Sequence, residues 1–136
     1  MLEINETYSQ IIEVKARFTD KINILSGRSG TGKTFLFSVI AGYCANNGIK
    51  CINIDYKFKD VFDAFLIEKL KQFDVICLDN ADLYMNCERF DQLYYLDRLM
   101  IISIHNLSLV DMTLDSVGSY QVDYTKDRMY VYRRSR

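Results

Sequence analysis

A chain of 136 residues that is 49% hydrophobic and 26% charged has the composition of one globular domain, spanning residues 1–136, and leaves no room for a second catalytic domain within it. The formal net charge of −1 and isoelectric point near 5.8 exclude a general pull toward nucleic acid or acidic membranes, so a partner must be sought in local features. The longest apolar runs, FLFSVIA and LMIISI, fall far short of the roughly 18 residues of a membrane span, and the N-terminus lacks a basic-then-apolar signal. Cys44, Cys51, Cys77 and Cys87 show no Cys-x-x-Cys spacing, and the chain has a single histidine, which argues against zinc. The first three cysteines read as small core residues, and the expectation is a cytoplasmic protein with no membrane insertion.

Taken in chain order, KINILS (21–26) predicts a short buried strand. The octapeptide Gly27-Arg28-Ser29-Gly30-Thr31-Gly32-Lys33-Thr34 follows, with the P-loop spacing Gly-x-x-x-x-Gly-Lys-[Ser/Thr]. Its glycines let backbone N–H groups turn inward around a phosphate where a Cβ would obstruct the approach. Lys33 would then reach the β- and γ-oxygens, and Thr34 would ligate Mg²⁺. TFLFSVIAGYCANNG predicts a helix after the loop, with Phe35, Leu36, Val39, Ile40 and Tyr43 apolar and Asn47-Gly48 as its stop.

KCINIDY (50–56) suits a second strand, and Phe58, Val61, Phe62, Phe65, Leu66, Leu70 and Phe73 recur at helical spacing as core positions. VICLDN (75–80) predicts a third buried strand ending in Asp79, the form of a Walker B motif whose carboxylate holds Mg²⁺ directly or through water. Many ATPases place Glu next as general base. Asn80 stands there, and it cannot accept a proton at neutral pH, so hydrolysis should be slow unless Asp82 substitutes through a water. A helix is expected within 86–98, a fourth strand at LMIISI (99–104), and a hairpin from SYQVDY and RMYVYRR about Thr125-Lys126-Asp127. Strands alternating with helices imply an α/β, three-layer P-loop NTPase fold, with a mostly parallel sheet, helices on both faces and a C-terminal β-hairpin.

The run from GRSGTGKT through FSVIAGY resembles the start of an ABC-type ATPase, MIISIHNLSLV is similar to that family's switch-histidine strand, and DSVGSYQVDYTKDRMYVYR resembles its terminal strand pair. The resemblance implies ATP as ligand, His105 at the γ-phosphate and Tyr8 stacked on adenine. It also implies an added strand between the two Walker strands. No Leu-Ser-Gly-Gly-Gln signature is present, the interval from Lys33 to Asp79 holds only one strand and one helix, and Ile104-His105-Asn106 replaces Thr-His-Asp. The expectation is a minimal ATP·Mg²⁺-binding core with Lys33, Asp79, Asn80 and His105 at the reacting end. It would act as a slow ATPase and nucleotide-dependent switch for a protein partner, with GTP not excluded. Two alternatives remain open: a small-molecule or nucleotide kinase, with Arg89 and Arg98 as lid candidates, and a nucleic-acid-associated module using Arg128, Arg133, Arg134 and Arg136.

Overall fold

The computed structural model describes residues 1–8, 12–26, 32–55 and 64–134, with the side chains of Ala64 and Phe65 left aside. Of the expected features, Gly27, Arg28, Ser29, Gly30, Thr31, Phe58, Val61, Phe62, Arg136 and the side chain of Phe65 lie outside that description.

Eight strands form one sheet in the order β1-β2-β8-β7-β3-β6-β5-β4. They are β1 (Leu2–Tyr8), β2 (Ile12–Phe18), β3 (Ile22–Leu25), β4 (Cys51–Ile54), β5 (Val75–Leu78), β6 (Leu99–Ser103), β7 (Val117–Tyr124) and β8 (Arg128–Arg133). The pairs β1·β2 and β7·β8 are antiparallel, and the other five are parallel. The sheet is therefore mixed but mostly parallel, and the predicted C-terminal hairpin is present as β7 and β8. The strand pair β1–β2 is not contained in the sequence reading, although its alternation is plain: Leu2 and Ile4, then Val14, Ala16 and Phe18, are buried between exposed neighbours.

The central strands β3, β5 and β6 are apolar apart from Asn23 and Ser103, because both faces are covered. Ile22, Ile24, Ile76, Leu78, Met100 and Ile102 enter one core cluster, and Leu25, Val75, Cys77 and Ile101 enter another. Helix α1 (Lys33–Asn46) contributes Leu36, Val39, Ile40 and Cys44 to the second cluster. Helices α2 (Ala64–Lys69) and α3 (Cys87–Tyr94) contribute Ile67, Phe90 and Leu93 to the first. The one polar residue inside β3, Asn23, is fully buried but satisfied: its amide donates to Asp20 O and Met100 O, both at 2.9 Å, and its oxygen accepts from Asp20 N at 3.2 Å.

Helix boundaries follow local chemistry. Gly48 at φ +68 ends α1, as Asn47-Gly48 predicted. Asn86 caps α3 by accepting from Arg89 N at 2.8 Å, and the helix stops at Tyr94, short of the expected 98, before Asp97 turns to φ +59.

At the sheet edge away from the P-loop, the fully buried Tyr120 donates its hydroxyl proton to Asp20 Oδ2 at 2.7 Å and accepts from Thr19 N at 3.0 Å. Arg133 Nε donates to the same Asp20 oxygen at 2.8 Å, so the clasp ties β8 and β7 to the turn before β3. Tyr120→Phe removes the buried hydroxyl and leaves Asp20 one donor short, and it is expected to lower unfolding free energy by about 1–3 kcal/mol. The urea midpoint should fall at unchanged slope.

Candidate functional site

The ends of β3, β5 and β6 meet at one edge because β6 lies between the other two. This confirms the added strand between the Walker strands. A cavity of about 240 Å³ opens there, lined by Gly32, Lys33, Thr34, Phe35, Asp79, Asn80 and His105. Five of the expected site residues are thus brought together with Gly32.

Asp79 follows β5 immediately, and its main-chain N–H is held by Ile54 O at 2.8 Å. One carboxylate oxygen accepts from Thr34 Oγ1 at 3.3 Å and the other from Ser103 Oγ at 2.9 Å. Ser103 also accepts the N–H of Asn80 at 2.8 Å. That buried serine is a site residue the sequence reading missed; the available signal was one hydroxyl at the end of the otherwise apolar LMIIS. Tyr84 was missed as well. Its hydroxyl donates to Asp79 O at 2.6 Å and lies 3.1 Å from Ile54 O, so it clamps the ends of β4 and β5, and burial drives its pKa far above the usual phenol value.

Asn80 has φ +52, in the left-handed region, where asparagine is among the few non-glycine residues at home. The residue type at this position thus has a backbone reason in addition to its chemistry. Asp82, in the 3-10 turn Ala81–Leu83, accepts His105 N at 2.8 Å and Asn106 N at 2.7 Å. The side chain of Asn106 is engaged with Ser108, accepting its N–H at 3.1 Å and its Oγ at 2.6 Å.

Lys33 is 8% exposed, and burial lowers the pKa of its ammonium, with Asp79 and Asp82 acting in the opposite direction. Helix α1 starts at this residue and carries no acidic side chain in its first turn, so the positive end of its dipole is not neutralised within the helix. Gly32 has φ +83, and a Cβ there would come within 2.7 Å of Met129 Cε and 2.9 Å of the Tyr124 ring. The positive φ favours glycine whatever the space, and a Cβ would in addition make Met129 and Tyr124 shift.

A hydroxyl and a carboxylate facing each other at Thr34 and Asp79 are hard oxygen donors of the kind Mg²⁺ takes. Among the described residues no group of three or more His, Cys, Asp or Glu gathers as a metal cluster. Magnesium that shares its ligands with phosphates and water needs only one or two carboxylates.

Tyr8 does not line the cavity. It ends β1 on the same sheet edge but four strands from β3, roughly 19 Å at a strand spacing of about 4.8 Å. Its hydroxyl donates to Glu6 Oε2 at 3.0 Å, and burial pushes its pKa up to about 12. The tyrosine beside the P-loop glycine is Tyr124, whose ring meets Phe35 edge-on with centroids 6.0 Å apart.

With this geometry the chain has a P-loop NTPase fold, in agreement with one solved structure. It is similar to a DNA replication initiation factor at 20% identity and a TM-score of 0.53, over 73% of this chain and 35% of that one. It is also similar to the replication initiator DnaA bound to AMPPCP and single-stranded DNA, at 20% identity and a TM-score of 0.49, over 72% and 35% of the two chains. A third is the genome-packaging NTPase B204 of Sulfolobus turreted icosahedral virus 2 in complex with ATP-gammaS, at 17% identity and a TM-score of 0.47, over 78% and 75%. The chain spans about a third of the length of the two replication proteins. No family model and no curated protein matches the sequence. No described helix is long and apolar enough to cross a membrane.

The lowered pKa of Lys33 means that folding with this amine charged carries a penalty, which shrinks as pH rises from the lowered folded-state value toward the ordinary 10.5 and is gone above it. Lys33→Met, without ligand, is expected to match or exceed the wild-type urea midpoint at pH 7, with any gain shrinking toward pH 10. A marked loss of stability at pH 7 would contradict this reading.

Proposed function

We propose that this chain binds ATP·Mg²⁺ in the cavity at the ends of β3, β5 and β6, and that it is a slow ATPase whose nucleotide state alters its affinity for a protein partner. The observation that carries this reading is the Thr34–Asp79 contact of 3.3 Å beside a buried lysine at the start of α1. Thr34, Asp79 and Lys33, read from the sequence as magnesium ligands and phosphate-binding amine, line one cavity, which supports this reading. In this reading the loop 27–31 and Gly32 cradle the phosphates, Lys33 meets the β- and γ-oxygens, and Thr34 and Asp79 hold Mg²⁺. The metal would neutralise phosphate charge; the remaining work belongs to the protein's own groups.

Asn80 orients water without taking its proton, and His105, an exposed residue that lines the cavity, meets the γ-phosphate. Tyr8 keeps its role as the adenine contact only if the base extends along the sheet edge toward β1. The two core clusters, with α1 in one and α2 and α3 in the other, support the three-layer arrangement. A cytoplasmic setting belongs to the same reading.

The kinase alternative loses one of its lid candidates. The Arg98 guanidinium donates to Lys71 O at 3.0 Å and Asp97 O at 3.3 Å, which ties it to the opposite edge of the sheet. For the nucleic-acid alternative, Arg133 is paired with Asp20, and Arg128 sits at the other end of β8 over the Tyr130 ring, so these two do not share one patch.

Calorimetric titration with ATP and Mg²⁺ tests the binding. Lys33→Ala should remain folded and weaken binding by about 1.5–3 kcal/mol or more, the worth of a charge-assisted contact to phosphate. Equal affinity in the folded variant would sink the proposal.

Turnover is tested by steady-state phosphate release. Wild type should be slow, and Asn80→Glu should raise the rate by part of the about 10²–10⁴-fold that a positioned base contributes. The gain is offset by placing glutamate at φ +52, a backbone cost of about 1–2 kcal/mol in stability. Brisk wild-type turnover would contradict the assignment of Asn80.

A further inference from the structure

We propose that Asp82 is a positioning residue that couples occupancy of the phosphate site to the loop after β6; the coupling rests on the ATP-binding reading above. Its carboxylate is bidentate toward main chain, with Oδ1 accepting His105 N–H at 2.8 Å and Oδ2 accepting Asn106 N–H at 2.7 Å. Two short charge-assisted bonds to consecutive amides fix both the position and the orientation of that backbone. The Asp79 and Asn80 contacts with Ser103 tie the end of β5 to the end of β6, and Asp82 extends the tie one turn further. The engaged side chain of Asn106 joins the held backbone to the following 3-10 turn, Leu107–Leu109, so the loop is carried as a unit.

The same carboxylate acts electrostatically on Lys33, the residue expected to meet the incoming phosphates. A polyphosphate placed at Lys33 brings negative charge toward Asp82 and draws the ammonium away from it. The bond pair open to that change holds the backbone of His105, a residue that lines the cavity. Asp82 is thus assigned a grip on the loop, a role distinct from that of the general base considered from sequence. A charged acceptor is needed: asparagine would present an NH₂ to one of the two N–H groups and keep only one bond.

The chain has a single histidine, so its imidazole gives one unambiguous NMR reporter. Full-length wild type, Asp82→Asn, Asp82→Ala and Asp82→Glu are compared, with Lys33→Ala as the binding control. In ligand-free protein, exchange of the His105 and Asn106 amides should quicken about tenfold or more in the Asn and Ala variants, with core-strand amides unchanged. On titration with a non-hydrolysable ATP analogue and Mg²⁺, the ligand-induced shift of the His105 imidazole should fall below about half its wild-type size in both, while affinity changes less than about fivefold. Asp82→Glu, which keeps two acceptor oxygens, should restore part of the response. A wild-type His105 response in Asp82→Asn, or unaltered amide exchange, overturns the proposal. Absence of any analogue binding to wild type overturns the ATP reading and the coupling with it, whereas loss in Lys33→Ala alone upholds the reading and leaves the Asp82 variants to decide the coupling.

Discussion

The placement of one carboxylate, Asp79, organises the working edge of this protein. It sits at the end of a strand whose four residues are all buried, where a charge without partners would be costly. Its two oxygens are met by hydroxyls from different elements, Thr34 at the start of α1 and Ser103 at the end of β6. Those bonds align the starting turn of the helix with the ends of two strands. Tyr84 secures the same point from the other side by bonding the Asp79 carbonyl. Gly32 in its left-handed turn and Asn80 in its own are the backbone conditions that let three chain segments converge on so small a volume.

The charges around this point suit the anionic, metal-bound ligand proposed above. Lys33 and the start of α1 supply positive potential; Asp79 and Asp82 supply negative potential within reach of the same amine. Burial disfavours the charged ammonium, so a phosphate arriving there would relieve an existing electrostatic penalty. Rapid hydrolysis asks for a proton acceptor beside Asp79, and the chain has in that place a residue suited to positive φ that cannot serve as one. Backbone geometry and chemistry at Asn80 are both consistent with the slow turnover proposed above.

The four strands β1, β2, β8 and β7 widen the sheet on the side away from β5. Their contribution to the site is packing at close range: Met129 and Tyr124 press on Gly32, and Tyr124 meets Phe35. At the opposite edge, the Tyr120–Asp20–Arg133 clasp fixes the same strands to the turn that leads into β3. The turn into β3 and the residues that open α1 are therefore both packed against β7 and β8.

The sequence by itself determined the parts of this protein that depend on local chemistry. The glycine-lysine-threonine spacing, the apolar runs of β3, β5 and β6, the Asn47-Gly48 stop of α1 and the turn between β7 and β8 were all legible, because each is set by neighbours a few residues apart. Asp79 was legible for the same reason, as the charge that ends an apolar strand. Only the tertiary structure decided what depends on strand order. Ser103 becomes a partner of Asp79 because β6 lies beside β5, and Tyr84 becomes a clamp because β4 lies on the other side. Asp82, a residue whose direction no local pattern reveals, turns to the backbone of His105 and Asn106, more than twenty residues away in sequence. Tyr8, adjacent to the site in the logic of a motif, stands four strands off in space. Sequence patterns report each segment's preferences, but a hydrogen bond between strand ends exists only once the sheet has chosen which strands are neighbours.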